Sequence, residues 1–168
     1  MRPGKDIIGK RIYSVDKGDH LGSVKDLYFD AGLNSVVALY LGSEGLLSRK
    51  AKLIKLEHVI IMGNDVVLVD ISDSVSNDKD VREAEHWIRR DEITGRYIST
   101  PGGTRVGELG DVFVGPNSQI TGLKLSHIQI EGPVAERQQI NRDVILDIGG
   151  PDIPMTIDFN KAELAARQ

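Results

Sequence analysis

The chain repeats itself, and that constrains its fold more than any other feature. Ile7-Ile8-Gly9-Lys10 returns as Ile93-Thr94-Gly95-Arg96. Leu21-Gly22-Ser23-Val24-Lys25-Asp26-Leu27-Tyr28-Phe29 returns as Val106-Gly107-Glu108-Leu109-Gly110-Asp111-Val112-Phe113-Val114. Val36-Val37-Ala38-Leu39-Tyr40-Leu41 returns as Ile120-Thr121-Gly122-Leu123-Lys124-Leu125, and Glu57-His58-Val59-Ile60 as Arg142-Asp143-Val144-Ile145. A near-constant offset across four blocks argues for duplication of one folding unit. A unit of about 70 residues can hold a small core of its own. The expected organisation is therefore a domain at 1–72, a helical linker at 73–92, a sister domain at 93–159 and a helical tail at 160–168.

Within each repeat, β-branched and aromatic runs recur every few residues with turn residues between them. Residues 24–29 and 36–41 flank Asp30-Ala31-Gly32-Leu33-Asn34-Ser35 and read as a hairpin. Their counterparts, residues 109–114 and 119–125, flank Gly115-Pro116-Asn117-Ser118. There Pro presets φ and Asn tolerates a left-handed backbone. Gly63-Asn64-Asp65 separates two more apolar runs as a tight reversal. The fold class expected is mainly all-β: two tandem small barrels, each removing its edges by closure, joined by a short helix. Residues 80–90 have helical composition, with Val81, Ala84 and Ile88 on one face, Trp87 beside it and Asn77 or Asp78 as cap. Trp87 is expected to pack between the domains. A short C-terminal helix, capped by Asn160, ends the chain.

Bulk composition narrows the functional classes. The net charge of -4 divides into +1 for residues 1–72, -3 for 73–92 and -2 for 93–168, so neither half carries the broad positive field of a non-specific nucleic-acid binder. With no cysteine, disulfides and thiolate metal sites are excluded. No apolar run approaches the roughly 20 residues that span a bilayer, and the first residues lack the apolar stretch of a secretory signal. A cytoplasmic location without membrane insertion is expected.

The blocks Gly9-Lys10, Leu21-Gly22-Ser23-Val24-Lys25-Asp26-Leu27, Val36-Val37-Ala38-Leu39, Glu57-His58-Val59 and Gly63-Asn64-Asp65-Val66-Val67-Leu68 resemble the PRC-barrel family. That family is named for the cytoplasmic domain of the photosynthetic reaction-centre H subunit. A related barrel forms the C-terminal domain of a ribosome maturation factor that acts on the small-subunit head. The resemblance covers nearly all of repeat one. In repeat two it is clear over residues 93–125 and fades after Ser126, where Gly132-Pro133 and Gly149-Gly150-Pro151 depart from the pattern and leave strand boundaries open. It implies a small, strongly bent barrel that binds other proteins, with no shared catalytic residues to carry over. The chain lacks the membrane helix of the one relative and the extra N-terminal domain of the other.

Individual residues fit the same picture. Asp26 and Asp111 recur four residues after Gly22 and Gly107. Neither has a duplicated partner for acid–base work, so they read as structural acceptors of backbone N–H groups beside permissive glycines. His20, His58, His86 and His127 lack zinc-ligand spacing, and no metal or cofactor is expected. Gly102-Gly103-Thr104-Arg105-Val106-Gly107 lacks nucleotide-loop spacing and leads into a strand, so it reads as a hairpin loop. Leu46 and Leu47, followed by Arg49, Lys50, Lys52 and Lys55, form the best candidate contact. An apolar point ringed by cations suits an acidic protein, with RNA as a less favoured partner. The reading is a non-catalytic interaction or scaffold module, not an enzyme, and compatible with homo-oligomers. Its alternatives are an RNA- or ribosome-associated assembly factor and a soluble subunit of a photosynthetic or other membrane complex.

Overall fold

The computed structural model describes residues 1–47 and 49–168. The chain is mainly β, as expected, and divides into two compact units. One comprises Gly4–Ala31 and Ser35–Arg90, here the N-terminal unit. The other comprises Met1–Pro3, Gly32–Asn34 and Asp91–Gln168, here the C-terminal unit. The strands, in chain order, begin with β1 (Arg2–Pro3), β2 (Arg11–Ser14), β3 (His20–Ser23), β4 (Asp26–Phe29) and β5 (Val36–Glu44). They continue with β6 (Lys50–Lys55), β7 (Val59–Met62), β8 (Val66–Val69), β9 (Val75–Asn77) and β10 (Ile88–Arg89).

In the N-terminal unit these strands make two sheets, ordered β3-β2-β8-β7 and β10-β4-β5-β6-β9. The stretch from His20 to Phe29 serves both. Val24 N–H donates to Lys10 O at 2.9 Å, and Lys25 N–H donates to Tyr40 O at 2.7 Å, so the chain leaves one sheet and enters the other at that step. Gly22, with φ of 136°, sits just before the bend in backbone that other residues rarely adopt. Corners of this kind let one chain line two sheets around one core. All four residues of β4 are buried, and Ile12, Val24, Leu27, Phe29, Leu39, Leu53, Ile54 and Val67 fill the interior. Each is worth about 1.5–3 kcal/mol when fully buried. The Gly63 reversal forms as expected, with Gly63 N–H on Val66 O and Lys10 Nζ donating to Gly63 O at 2.7 Å.

The C-terminal unit opens with α1 (Arg90–Ile93), whose first residue still clusters with the preceding unit. It continues through β11 (Tyr97–Ser99), β12 (Arg105–Val114), β13 (Ile120–Ser126), α2 (Pro133–Arg137), β14 (Gln139–Asn141), β15 (Ile145–Asp147), β16 (Met155–Ile157) and α3 (Phe159–Ala166). One sheet runs β14-β13-β12-β11-β16-β15, with β1 added beside β12. The pairing order parallels that of the N-terminal unit. β2 pairs parallel with β8, and β11 pairs parallel with β16. β5 lies between β4 and β6, and β13 between β12 and β14.

Four expectations change. Among the described residues the sheets do not close into hydrogen-bonded rings; each path ends on an edge strand paired on one side only. The segment at 80–90 is not one helix. It makes a 3-10 turn at Arg82–His86, after which Trp87 turns extended and Ile88 and Arg89 pair with Phe29 and Tyr28. Neither proposed cap acts there: Asn77 Oδ1 holds its own turn by accepting from Lys79 and Asp80 N–H, and Asp78 Oδ1 accepts from Ala51 N–H. The final helix starts at Phe159, capped by Asp158, whose Oδ1 accepts from Lys161 N–H at 3.0 Å; a carboxylate three residues back reaches that amide better than Asn160, already inside the helix. In the β12–β13 turn the left-handed residue is Ser118, not Asn117.

Candidate functional site

The repeated aspartates occupy matching places. Asp26 on β4 and Asp111 on β12 are both buried, and in each Oδ1 accepts from the next backbone N–H at 2.8 Å, from Leu27 and Val112 respectively. This is the geometry of a carboxylate that satisfies buried backbone. The glycines differ in reason. Gly22 takes a positive φ, whereas a Cβ on Gly107 would meet Ser126 O at 2.8 Å, so there it is close approach that demands glycine.

Trp87 packs within the N-terminal unit. Its ring lies 5.7 Å from that of Tyr28, over a cluster of Tyr28, Ala38, Leu53 and Val81. Tyr40 meets Tyr28 edge-on at 5.9 Å, and the Arg89 guanidinium stacks 4.5 Å above Tyr40. The extended backbone at Trp87 places this ring on the β4–β5–β6 face.

The basic hairpin is the most exposed candidate. β5 and β6 pair from Ala38↔Lys55 out to Glu44↔Lys50, with Gly45, Leu46, Leu47 and Arg49 beyond the last pair. Leu46 and Leu47 are entirely exposed, and Arg49 and Lys50 are exposed beside them. Strand alternation puts Lys50 and Lys52 on one face of β6 and Lys55 on the other. Lys52 Nζ bonds the Glu44 carboxylate. The structure therefore brings together Leu46, Leu47, Arg49 and Lys50, and sets Lys55 apart. A shallow groove of about 480 Å³ runs beside the tip between Glu44, Lys50, Lys52 and the edge strand β9.

The C-terminal unit has an open cavity of about 500 Å³ lined by Glu92, Arg96, Tyr97, Arg105, Asp152 and Ile153, among others. Arg105 stacks 3.7 Å above Tyr97, and Arg96 donates to Ile148 O at 2.9 Å. Burial pushes the Arg96 guanidinium below its ordinary range, with Glu92 acting in the opposite sense. Two cations, Arg96 and Arg105, line the cavity with two carboxylates, Glu92 and Asp152, and the hydroxyl-bearing Thr94 and Tyr97.

Sequence reading missed several features. His58 Nδ1 lies 3.0 Å from Asp70 Oδ1 on the surface. Ser72 donates its N–H and hydroxyl to Asp16, while the Ser14 and Ser72 hydroxyls meet at 2.6 Å. Most informative are two bulges. On β7, Val59 and Ile61 pair with Val69 and Leu68, and Ile60 is the extra residue. On β15, Ile145 and Asp147 pair with Ile157 and Thr156, and Leu146 is the extra residue. Each strand is the last of its sheet, and the bulged residues are 55% and 59% exposed. The block alignment set Ile60 against Ile145; the bulges set it against Leu146, one residue further on.

Residues 1–75 match the family model of the PRC-barrel domain. No curated protein matches the chain. Among the described residues, no helix is long and apolar enough to cross a membrane, and no group of His, Asp and Glu is arranged to hold a metal ion.

Proposed function

We propose that the chain is a non-catalytic protein-interaction module built from two PRC barrels in tandem, acting in the cytoplasm. The observation that carries this reading is the matched pair of bulged aliphatic residues, Ile60 and Leu146, each exposed on the last strand of its sheet. Bulges at sheet edges re-aim a side chain and interrupt strand pairing. An aliphatic side chain held out at the same place in both units is a ready anchor for a pocket on a partner protein. The parallel pairing order of the two units supports counting the second as a PRC barrel as well. With its charges balanced and its mouth open, the 500 Å³ cavity is suited to binding.

The test is capture from the native host by wild type, Ile60→Lys, Leu146→Lys and the double variant. Substitutions at exposed bulges leave folding within ~0.5 kcal/mol. Each single variant should lose part of the partner set, and the double variant most of it. Undiminished capture by the double variant would remove these residues from the interface.

A further inference from the structure

We infer that the tip of the β5–β6 hairpin docks on an anionic lipid surface. This goes beyond the protein contacts proposed at the bulges and uses different residues. Leu46 and Leu47 are adjacent and both entirely exposed, so no part of the fold supports either side chain. Both side chains stand clear of the two strands, beyond their last pair. A pocket in a protein covers one side of such a tip, whereas the fluid acyl boundary of a membrane surrounds it and takes both leucines at once. The local charge fits the same surface. Residues 44–55 carry Arg49, Lys50, Lys52 and Lys55 against the carboxylates of Glu44 alone. The one carboxylate is bonded to Lys52, which leaves Arg49 and Lys50 exposed beside the leucines. Short apolar projections bordered by Lys and Arg bind membranes through apolar burial plus attraction to acidic headgroups. The contact is peripheral, with Leu46 and Leu47 beyond the last strand pair forming the probe.

The chain has no cysteine, so Leu47→Cys supplies a single labelling point at the tip. The full-length protein, labelled there with an environment-sensitive fluorophore, is mixed with vesicles of phosphatidylcholine alone or with phosphatidylserine added. Unlabelled wild type, Leu46→Ser/Leu47→Ser and Arg49→Glu/Lys50→Glu are sedimented with the same vesicles, and circular dichroism establishes that each is folded. The inference expects a blue shift and co-sedimentation only with phosphatidylserine, weakened by salt. Each reversed cation should cost roughly fivefold or more in affinity. The serine variant should lose ~tenfold or more. No binding to the acidic vesicles overturns the inference. So does binding that the serine variant retains in full, because the leucines then insert nowhere. Soluble poly-glutamate is the control for an acidic protein partner. If it binds wild type as tightly as the acidic vesicles do, and shifts the tip fluorophore equally, the tip is a protein contact and the lipid assignment fails.

Discussion

Arg142 offers the sharpest test of how the C-terminal unit is held. Its Nε donates to Leu33 O at 2.7 Å, and its Nη2 to Gly32 O at 2.6 Å and Asn34 Oδ1 at 3.3 Å. Ile120 N–H donates to Asn34 O at 2.7 Å. Leu33 is buried and has φ of 55°, a left-handed backbone that costs a branched side chain about 1–2 kcal/mol. Burial of Leu33, worth about 1.5–3 kcal/mol, and the guanidinium bonds together offset that cost. Arg142 is only half-buried, so Arg142→Ala should destabilise by about 1–2 kcal/mol, the lower end for charge-assisted bonds. Arg142→Lys, with one compact ammonium in place of the fork, should recover less than half. Leu33→Ala should cost about 2–4 kcal/mol. The double variant should fall short of the sum by about 0.5–1 kcal/mol, since both act on one turn. Urea unfolding followed by circular dichroism reads these values, with Arg142→Ala lowering the midpoint by about 0.5–1 M. Trp87, the sole tryptophan, lies in the N-terminal unit, so its fluorescence reports that unit separately. An unchanged midpoint for Arg142→Ala, or strict additivity with Leu33→Ala, would refute the clamp.

Other perturbations test other parts of the fold. Ser74 is buried and its hydroxyl has no hydrogen-bond partner among the described residues, so Ser74→Ala should be neutral or stabilise by about 1 kcal/mol in a thermal melt; a clear loss would reveal a hidden partner. Asp26→Ala and Asp111→Ala should each cost about 1–3 kcal/mol in urea, because each strands a buried N–H. Partial desolvation raises the Asp16 carboxyl, but the hydroxyls of Ser72 and Ser14 and the amides of Ser72 and Lys17 outweigh it and hold it below its ordinary 3.8. A carboxyl lowered in the folded state stabilises above 3.8 and loses that contribution as pH falls through the folded value. An NMR titration should place Asp16 below 3.8, and Ser72→Ala should move it up; no movement would disprove the assignment. A fragment 1–75 lacks most of β9, all of β10 and Trp87, so it should melt well below a fragment 1–90, and equal melting would show that these strands are dispensable.

Much of the fold is legible because its signals are local. The hairpins at Asp30–Ser35 and Gly115–Ser118 lie between strands of strong β composition, and turn chemistry alone locates them. The reversal at Gly63 is equally plain. The segment at 80–90 misleads for a physical reason. Val81, Ala84 and Ile88 have helical spacing, but Tyr28 offers Trp87 an aromatic surface, and the free edge of β4 offers pairing to Ile88 and Arg89. Both gains need residues some 60 positions earlier, and no local pattern contains them. The region after Ser126 diverges because Pro133 begins a helix where repeat one runs basic strand.

The candidate contacts divide along the same line. Strand alternation in the sequence implies that one of Leu46 and Leu47 points away from the core; only the structure shows that both do. The basic run can be read as a run, but not as a surface: strand alternation removes Lys55 to the far face, and Glu44 binds Lys52 from the opposite strand. Ile60 and Leu146 are beyond such reading. Val-Ile-Ile-Met and Val-Ile-Leu-Asp look like ordinary buried strands, and only the register of pairing with β8 and β16 shows which residue is displaced outward. A bulge is a relation between two strands, and its effect is large because one inserted residue reverses which face every later side chain meets. The same relation holds at Ile60 and Leu146 while the residues around them differ: Ile61 follows the first bulge and Asp147 the second. Under the proposed function, a shared anchor with unlike neighbours is what two docking sites of one design but different partners require.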